Sequence, residues 1–434
     1  MTLSRYCKIY PSGKTARNVI LYSTKNSAIV EMPKAMAENI AEERLSKGDR
    51  QTLRKMGFLF NDPLKERKEV LGFIGDLNGI NKALNIKLVM NLDCNLACRY
   101  CFEGTRKGKF FMTKQTADDF IGFVKKTFRS KRDFKEILIT FYGGEPLLSK
   151  ELIFYISQKL KRFSEMQGVR FKTYFVTNGT LLTKETVKML RPLGLKEAQV
   201  TIDGPRHIHN RFRPYRSGAG SFDAIIRNVK DVRGLIKICI GGNYSRSHYR
   251  EFPSLLSYLL TNGLGPDKVK SVQFSPIAQE RQDFGPPDFN DGCTTINEPW
   301  LIEAFLHLRE EILKSGFRFT KTTPGLCMME YESNLLVNYE GSIYKCPGLI
   351  GREEYKIGDI KTGTIDYRAS YHLDNWKNEE CLDCEYLPLC FGGCRYMKFV
   401  RDGNMDGVDC RKPYFDAALE RLIKQDIKYG LTKS

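Results

Sequence analysis

Between residues 86 and 277 two hydrophobic patterns alternate along the chain. Short apolar runs fit strands at IKLVMNL (86–92), EILITFYG (136–143), YFVTNG (174–179), AQVTIDG (198–204), IKICIGG (236–242) and SVQFSPI (271–277). Between them, TKQTADDFIGFVKKTF, SKELIFYISQKLKRF and SFDAIIRNVKDV repeat apolar residues at helical spacing. Repeated βα units predict a parallel sheet with right-handed crossovers. Six units fit a barrel short of eight strands or an open, doubly wound sheet. Each strand runs into an unusual stretch: NLDC, YGGEP, TNGT, TIDGP, GGNYS and SPI in turn. A barrel gathers all such ends at one mouth, whereas an open sheet uses only its switch-point crevice. Six marked ends favour an α/β fold built on a partial (β/α)6, TIM-like barrel.

The flanks read differently. Residues 1–85 open with strand-like stretches at Arg17–Ser23 and Ser27–Met32 around a turn at Thr24-Lys25-Asn26. Pro33 then starts a helical run, PKAMAENIAEERL, and a second short helix, DRQTLRKMGFLF, follows Gly48. Residues 320–412 show little regular pattern, hold seven cysteines and cannot build much of an apolar core, so they need staples. The division expected is 1–85, 86–319 with a bridging region after the barrel, 320–412, and a helix or tail over 413–434.

Composition narrows the compartment and the partners. At 434 residues, 41% hydrophobic and 28% charged, the chain is globular. The start, MTLSRYCKIYPSGK, lacks the apolar region of a signal peptide, and no run of about 18 apolar residues appears. A cytoplasmic protein with no membrane association is expected. There thiols stay reduced, so thirteen cysteines read as metal or cluster ligands before disulfides. The net charge of +18 admits a nucleic acid or an acidic peptide as partner. The basic residues are spread without a block, however, which favours a solvated basic surface over nucleic-acid binding.

The candidate chemistry begins at CNLACRYCFEG, where Cys94, Cys98 and Cys101 follow the first strand. Three thiolates can hold three irons of a four-iron cluster and leave the fourth open to a small molecule. The alternative is a zinc site with a distant fourth ligand, although zinc ligands tend to pair as CxxC. The spacing resembles the radical S-adenosylmethionine (SAM) family, whose signature is CxxxCxxC with an aromatic, here Tyr100, before the last cysteine. The resemblance covers residues 86–280. Gly143-Gly144-Glu145-Pro146 matches the family's GGE motif, whose glycines would let the backbone approach the ligand. The segment around Glu145 would then hold the methionyl ammonium. Asn178 and Thr201 match positions where relatives contact SAM, and Arg213 in HNRFR resembles a family arginine, with a plain surface arginine as the alternative. The resemblance implies a cluster that takes one electron from an external reductant and cleaves SAM to a radical that abstracts hydrogen from substrate.

The second cysteine set, Cys327, Cys346, Cys381, Cys384, Cys390, Cys394 and Cys410, matches in spacing the SPASM extension of radical SAM enzymes that modify peptides and proteins. That resemblance implies two auxiliary [4Fe–4S] clusters, three clusters in all. Cys381, Cys384, Cys390 and Cys410 would hold one. Cys327, Cys346 and Cys394 would hold the other, completed by an outlying thiol such as Cys293 or left open to substrate. Cys7 and Cys239 read as buried structural thiols, and His207 and His209 as loop residues. In SPASM enzymes that make formylglycine, an Asp follows the second SPASM cysteine and takes a proton. Here Pro347 follows Cys346. The strand and helix pattern of residues 1–85 resembles the winged-helix-like module with which peptide maturases capture a leader as an added strand. The expected activity is a peptide maturase forming a cross-link, a Cys thioether first. Formylglycine generation, C–C cross-linking or epimerisation, and a nucleic-acid-binding iron–sulfur regulator are the alternatives, in that order.

Overall fold

The computed structural model describes residues 2–13, 17–41, 44–101, 103–130, 133–279 and 289–431. Glu42 and Glu43 of the expected helical run, Phe102 of the cysteine motif, residues 280–288 of the bridging region and the last three residues of the tail lie outside them.

The N-terminal region contains β1 (Thr2–Leu3), β2 (Cys7–Pro11), β3 (Asn18–Ser23), β4 (Ile29–Pro33), α1 (Lys34–Ala41), α2 (Lys47–Lys55), β5 (Leu59–Phe60) and α3 (Pro63–Ile80). Strands β2, β3 and β4 form an antiparallel sheet in that order, and β1 pairs with β5. Pro33 closes a strand and does not open the helix. It can do so because β4 is an edge, where a missing N–H breaks no ladder. Gly48 lies inside α2, since Ser46 caps that helix by accepting from the Asp49 N–H at 3.1 Å. The GFLF segment is no helix; Gly57, at φ +78°, turns the chain so that Leu59–Phe60 meets β1. Helix α3 was not expected. It is started by Asp62, which accepts from Leu64 N–H at 2.9 Å, and by Pro63 in the first turn.

The barrel comprises β6 (Ala83–Val89), α4 (Lys114–Ser130), β7 (Glu136–Tyr142), α5 (Lys150–Met166), β8 (Arg170–Thr177), α6 (Lys184–Leu190), β9 (Leu195–Thr201), α7 (Arg206–Phe212), α8 (Phe222–Val232), β10 (Lys237–Tyr244), α9 (Phe252–Thr261) and β11 (Val269–Pro276), followed by α10 (Pro299–Lys314). The six strands are parallel and neighbour one another in chain order. With no reversal of order there is no switch point, so the helices share one face and the sheet curls. Among the described residues β6 and β11 do not pair, and the barrel stays open. All six strand ends meet at one mouth.

The cysteine-rich region is more regular than expected. It adds β12 (Asn334–Val337), β13 (Ser342–Tyr344), β14 (Gly358–Asp359) and β15 (Gly363–Thr364), then α11 (Glu379–Leu382), α12 (Leu387–Cys390), α13 (Arg395–Asp402) and α14 (Lys412–Lys428). Strand β12 runs parallel to β6, with Asn334 opposite Asn85 and Val337 opposite Leu88, so the barrel sheet continues into this region. It also has a real core. Ile343, Ile357, Tyr371 and Leu373 are buried and continuous with the barrel's apolar interior. On the far side, Ile20 and Tyr22 of β3 pack with Leu306 of α10 and Leu419 of α14. Arg309 of α10 forms a buried ion pair with Asp426 of α14. No helix among the described residues is long and apolar enough to cross a membrane.

Candidate active site

The segment after β6 that carries Cys94 is held by close backbone contact with the end of β7. Gly144 N–H donates to the Asn91 carbonyl at 3.0 Å, and Glu145 N–H to the Asp93 carbonyl at 2.8 Å. A Cβ on Gly143 would lie 2.3 Å from the Asn91 carbonyl oxygen, and one on Gly144 2.2 Å from that of Asp93. Both positions therefore require glycine, and the close approach they permit is to the cysteine segment itself, not only to a ligand. Asn91 reinforces it, donating to the Glu145 carbonyl at 3.0 Å and to Ser149 Oγ at 2.9 Å.

Glu145 is fully buried, and its carboxylate is used within the protein. It accepts from Leu147 N–H at 3.0 Å, from Thr177 Oγ1 at 2.9 Å and from Asn178 N–H at 2.8 Å. Burial raises its pKa, while these donors oppose the shift. The side chain thus ties the ends of β7 and β8 together, and what it leaves for a ligand is the surrounding backbone. Asn178, also buried, donates to Asn95 Oδ1 at 2.8 Å and to Cys94 Sγ at 3.7 Å. It fixes the first cysteine from the next strand.

Tyr100 sits in a buried polar network that the sequence hid. Its hydroxyl donates to Asp203, accepts from Arg213 Nη1 at 2.6 Å and from Asn243 Nδ2 at 3.0 Å. Asp203 also accepts from Asn243 N–H at 2.7 Å and lies 3.9 Å from Arg213. Arg213 is 8% exposed, so the surface alternative is wrong, and its Nε has no partner among the described residues. Burial opposes its charge, but Cys98, Tyr100 and Asp203 favour it, and its pKa rises. His209 is likewise no loop residue. It lies on α7, fully buried, accepting from Asp203 N–H at 3.1 Å while its Nε2 meets Ser221 Oγ at 3.0 Å. In TIDGP the resemblance points to Thr201; the sequence signal for Asp203 is an acidic residue in a marked stretch at a strand end.

These elements enclose a cavity of about 470 Å³ lined by Cys94, Cys98, Cys101, Tyr100, Thr201 and Arg213. Gly143, Gly144 and Asn178 line it too, so every residue expected around SAM reaches this space or, for Glu145, supports it. Lys87, Glu103, Lys107 and Asn243 join them and were not foreseen. Burial pushes the three thiols up, Cys101 to about 11, and Lys107, drawn toward all three sulfurs, is the nearby compensating cation. Buried thiols of this kind stay protonated until a metal replaces the proton. The donor set therefore fits an iron–sulfur cluster with one iron free of protein ligands. Among the described residues no three His, Cys, Asp or Glu side chains lie close enough together to hold a single ion.

The remaining cysteines fall into two groups. Cys381, Cys384, Cys390 and Cys410 act electrostatically on one another at the outer face. Cys327, Cys346 and Cys394 form the second group, close to the barrel. Gly393, at φ +76°, permits contact with the Asp409 carbonyl, 2.0 Å from where its Cβ would lie, which brings the Cys394 and Cys410 segments together. Cys293 stands elsewhere. It bridges to Ala278 behind the cavity wall, and the carboxylate that bears on it is that of Glu298. Cys7 is buried; Cys239 is only half-buried and donates to Glu197 at 3.1 Å. Pro347 and Gly348, directly after Cys346, line the cavity.

The family model of the Radical SAM superfamily matches residues 88–246, the strands and loops that build this cavity. Residues 88–246 are a radical SAM domain. A serine-type anaerobic sulfatase-maturating enzyme of Bacteroides thetaiotaomicron is 21% identical over 79% of this chain and 92% of its own. The solved structure of anSMEcpe with bound AdoMet aligns with 78% of this chain and 98% of that one, at TM-score 0.60 and 20% identity. Streptococcus suis SuiB bound to precursor peptide SuiA aligns with 94% of this chain and 98% of that one, at TM-score 0.54 and 15% identity. The chain is an enzyme that carries a radical SAM domain, and SAM with an iron–sulfur cluster are that domain's cofactors. Its radical SAM fold is the partial barrel of those structures.

Proposed function

We propose that this radical SAM enzyme is a maturase of a ribosomally made, Cys-containing peptide and forms a cross-link, a thioether between a Cys sulfur and another residue's carbon. The observation that carries the reading is the cavity, which runs from the three-cysteine loop to Pro347 and Gly348 beside the second cysteine group. Bound there, SAM and a reduced cluster would supply the one-electron chemistry needed to take a hydrogen atom from substrate. Cys94, Cys98 and Cys101 hold the cluster. Tyr100, Gly143, Gly144, Asn178, Thr201 and Arg213 shape the SAM site, with Glu145 bracing it. The Tyr100–Asp203–Arg213–Asn243 network closes the wall and keeps water from the reacting carbon. Cys381, Cys384, Cys390 and Cys410 hold one auxiliary [4Fe–4S] cluster, and Cys327, Cys346 and Cys394 another with one iron left open. An external one-electron donor reduces the enzyme, in the cytoplasm.

The N-terminal region, residues 1–85, serves as the leader-binding module, ahead of a barrel domain over 86–319, a cluster domain over 320–412 and a C-terminal helix. Its sheet offers β4 as an outer strand, unpaired on one side among the described residues, to which a leader can add. The likeness to the peptide-bound SuiB supports this, since it takes in 94% of the chain against 78% for anSMEcpe.

A second reading, formylglycine generation, is favoured by the sulfatase-maturing relatives. Pro347 cannot take the proton that chemistry releases, but Glu103, buried in the cavity wall, is a carboxylate that can. Co-expression with a short Cys-containing reading frame beside the gene, followed by mass measurement before and after thiol alkylation, separates the two. Loss of two hydrogens with one cysteine closed to alkylation means a thioether. A new aldehyde that reacts with a hydrazide means formylglycine, and two lost hydrogens with every cysteine still open means a carbon–carbon bond or dehydrogenation.

A further inference from the structure

Lys87 lies on β6 with its side chain in the cavity, opposite Thr140 of β7 on one side and Leu336 of β12 on the other. An ammonium carries three N–H donors. Among the described residues this one donates to Met328 Sδ at 3.7 Å, a thioether and a weak acceptor. Met328 follows Cys327, and Pro347 and Gly348, which share the cavity wall with Lys87, follow Cys346. Burial lowers the Lys87 pKa, while the neighbouring sulfurs of Cys346 and Cys327 raise it, and Glu103 lines the same cavity. A half-buried cation with spare donors is stabilised by an anion that completes its shell.

We propose that Lys87 holds the cysteine sulfur of the substrate peptide, as a thiolate, in the cavity beside Cys346. This rests on the thioether reading above. A thiolate suits the place for two reasons. An adjacent lysine lowers a thiol's pKa and so favours the deprotonated form. A soft sulfur also suits an iron left open in the cluster that Cys327, Cys346 and Cys394 would hold, where a hard hydroxyl does not. Lys87 is then a specificity residue that distinguishes Cys from Ser in the peptide.

The test uses the full-length protein with its clusters reconstituted anaerobically and reduced by dithionite. N-acetyl-L-cysteine methyl ester, its serine counterpart and propionate are titrated separately while the clusters' EPR signal is followed. The cysteine ester should perturb the signal saturably and the serine ester should not. Lys87→Met should weaken the cysteine ester's binding by about tenfold or more, and Lys87→Arg should restore most of it. Iron content and far-UV circular dichroism check folding, with Lys87→Gln replacing the Met variant if that one takes up no iron. Equal affinity in the wild type and the neutral variants overturns the role of Lys87 and leaves the thioether reading standing. Lys87-dependent binding of propionate, with none of the thiol, makes the site one for carboxylates and also overturns it. A wild-type enzyme silent to the thiol removes the open, sulfur-accepting site itself, and the inference falls with that reading.

Discussion

The cysteines at the barrel mouth and those at the outer face are held by different forces. At the mouth the support is local and neutral for the most part. Two glycines let β7 touch the Cys94 segment, Asn178 reaches Cys94 and Asn95, and Glu145 gathers donors from three residues. At the outer face the support comes from the other end of the chain. Arg5 pairs with Asp383, Arg67 with Glu379 at 3.2 Å, and Lys8 with Glu385, while Thr24 Oγ1 donates to the Glu385 carbonyl at 2.7 Å. These acids flank Cys381 and Cys384. Buried hydrogen bonds are costly to break and indifferent to salt, whereas exposed ion pairs are cheap and screened. The mouth is therefore preorganised by its own strands, and the outer set depends on docking of the N-terminal region.

The sharpest way to break this comparison is at the mouth. Cys94→Ala should abolish SAM cleavage, read as 5′-deoxyadenosine by mass spectrometry after anaerobic reconstitution; product at the wild-type rate sinks the assignment. Glu145→Ala should come next. It strands Thr177 Oγ1, Asn178 N–H and Leu147 N–H in a buried place and should cost on the order of 3–5 kcal/mol in denaturant unfolding of the apoprotein. A loss below about 1 kcal/mol would show that the strand ends are held otherwise.

Acid separates the two regions in a third way. His248, stacked on Phe212 at 4.2 Å and 1% exposed, is buried neutral, with its pKa lowered by burial to about 4. Its folded pKa lies below the unfolded value, so its contribution is complete above about pH 6.5 and is lost as pH falls toward 4. The loss should reach about 3 kcal/mol, and His248→Phe should flatten that part of the stability–pH profile. An unchanged profile would rule the residue out as the cause. The smallest effect belongs to the outer face. Lys8→Ala with Arg67→Ala should cost about 1 kcal/mol at low salt and almost nothing at high salt, measured by denaturant unfolding at two ionic strengths. A salt-independent loss would mean that packing, not charge, holds the N-terminal region there.

How much of this was legible in the sequence follows from the length and autonomy of each element. The barrel strands showed because each is seven or eight residues long and bounded by helices of clear period. Their observed ends shift by a few residues, as at Thr177, where the chain leaves the sheet so that Asn178 can turn back to Cys94. Strands β12 to β15 were illegible, being two to four residues long and templated by the β6 edge, a contact that no local pattern encodes. The resemblance carried by the cysteine spacings implies which thiols to group, but spacing says nothing of the polar residues between. Asp203 sits in what reads as an Asp-Gly turn, Lys87 in a strand run that carries no motif, and Arg213 is marked by resemblance with nothing in the sequence to show its burial. Each becomes meaningful only when the barrel curls and turns it inward.

The pairing of β6 with β12 also has a consequence in time. On the ribosome, β6 emerges some 245 residues ahead of its partner, a delay on the order of ten seconds or more at ordinary rates of synthesis. For that interval the first barrel strand presents a bare hydrogen-bonding edge to whatever else is nascent nearby. The arrival of β12 seals it. A protein made this way is exposed to misassembly longest at the strand that leads into its most reactive loop, so chaperoning of the young chain and delivery of iron become one problem for the cell.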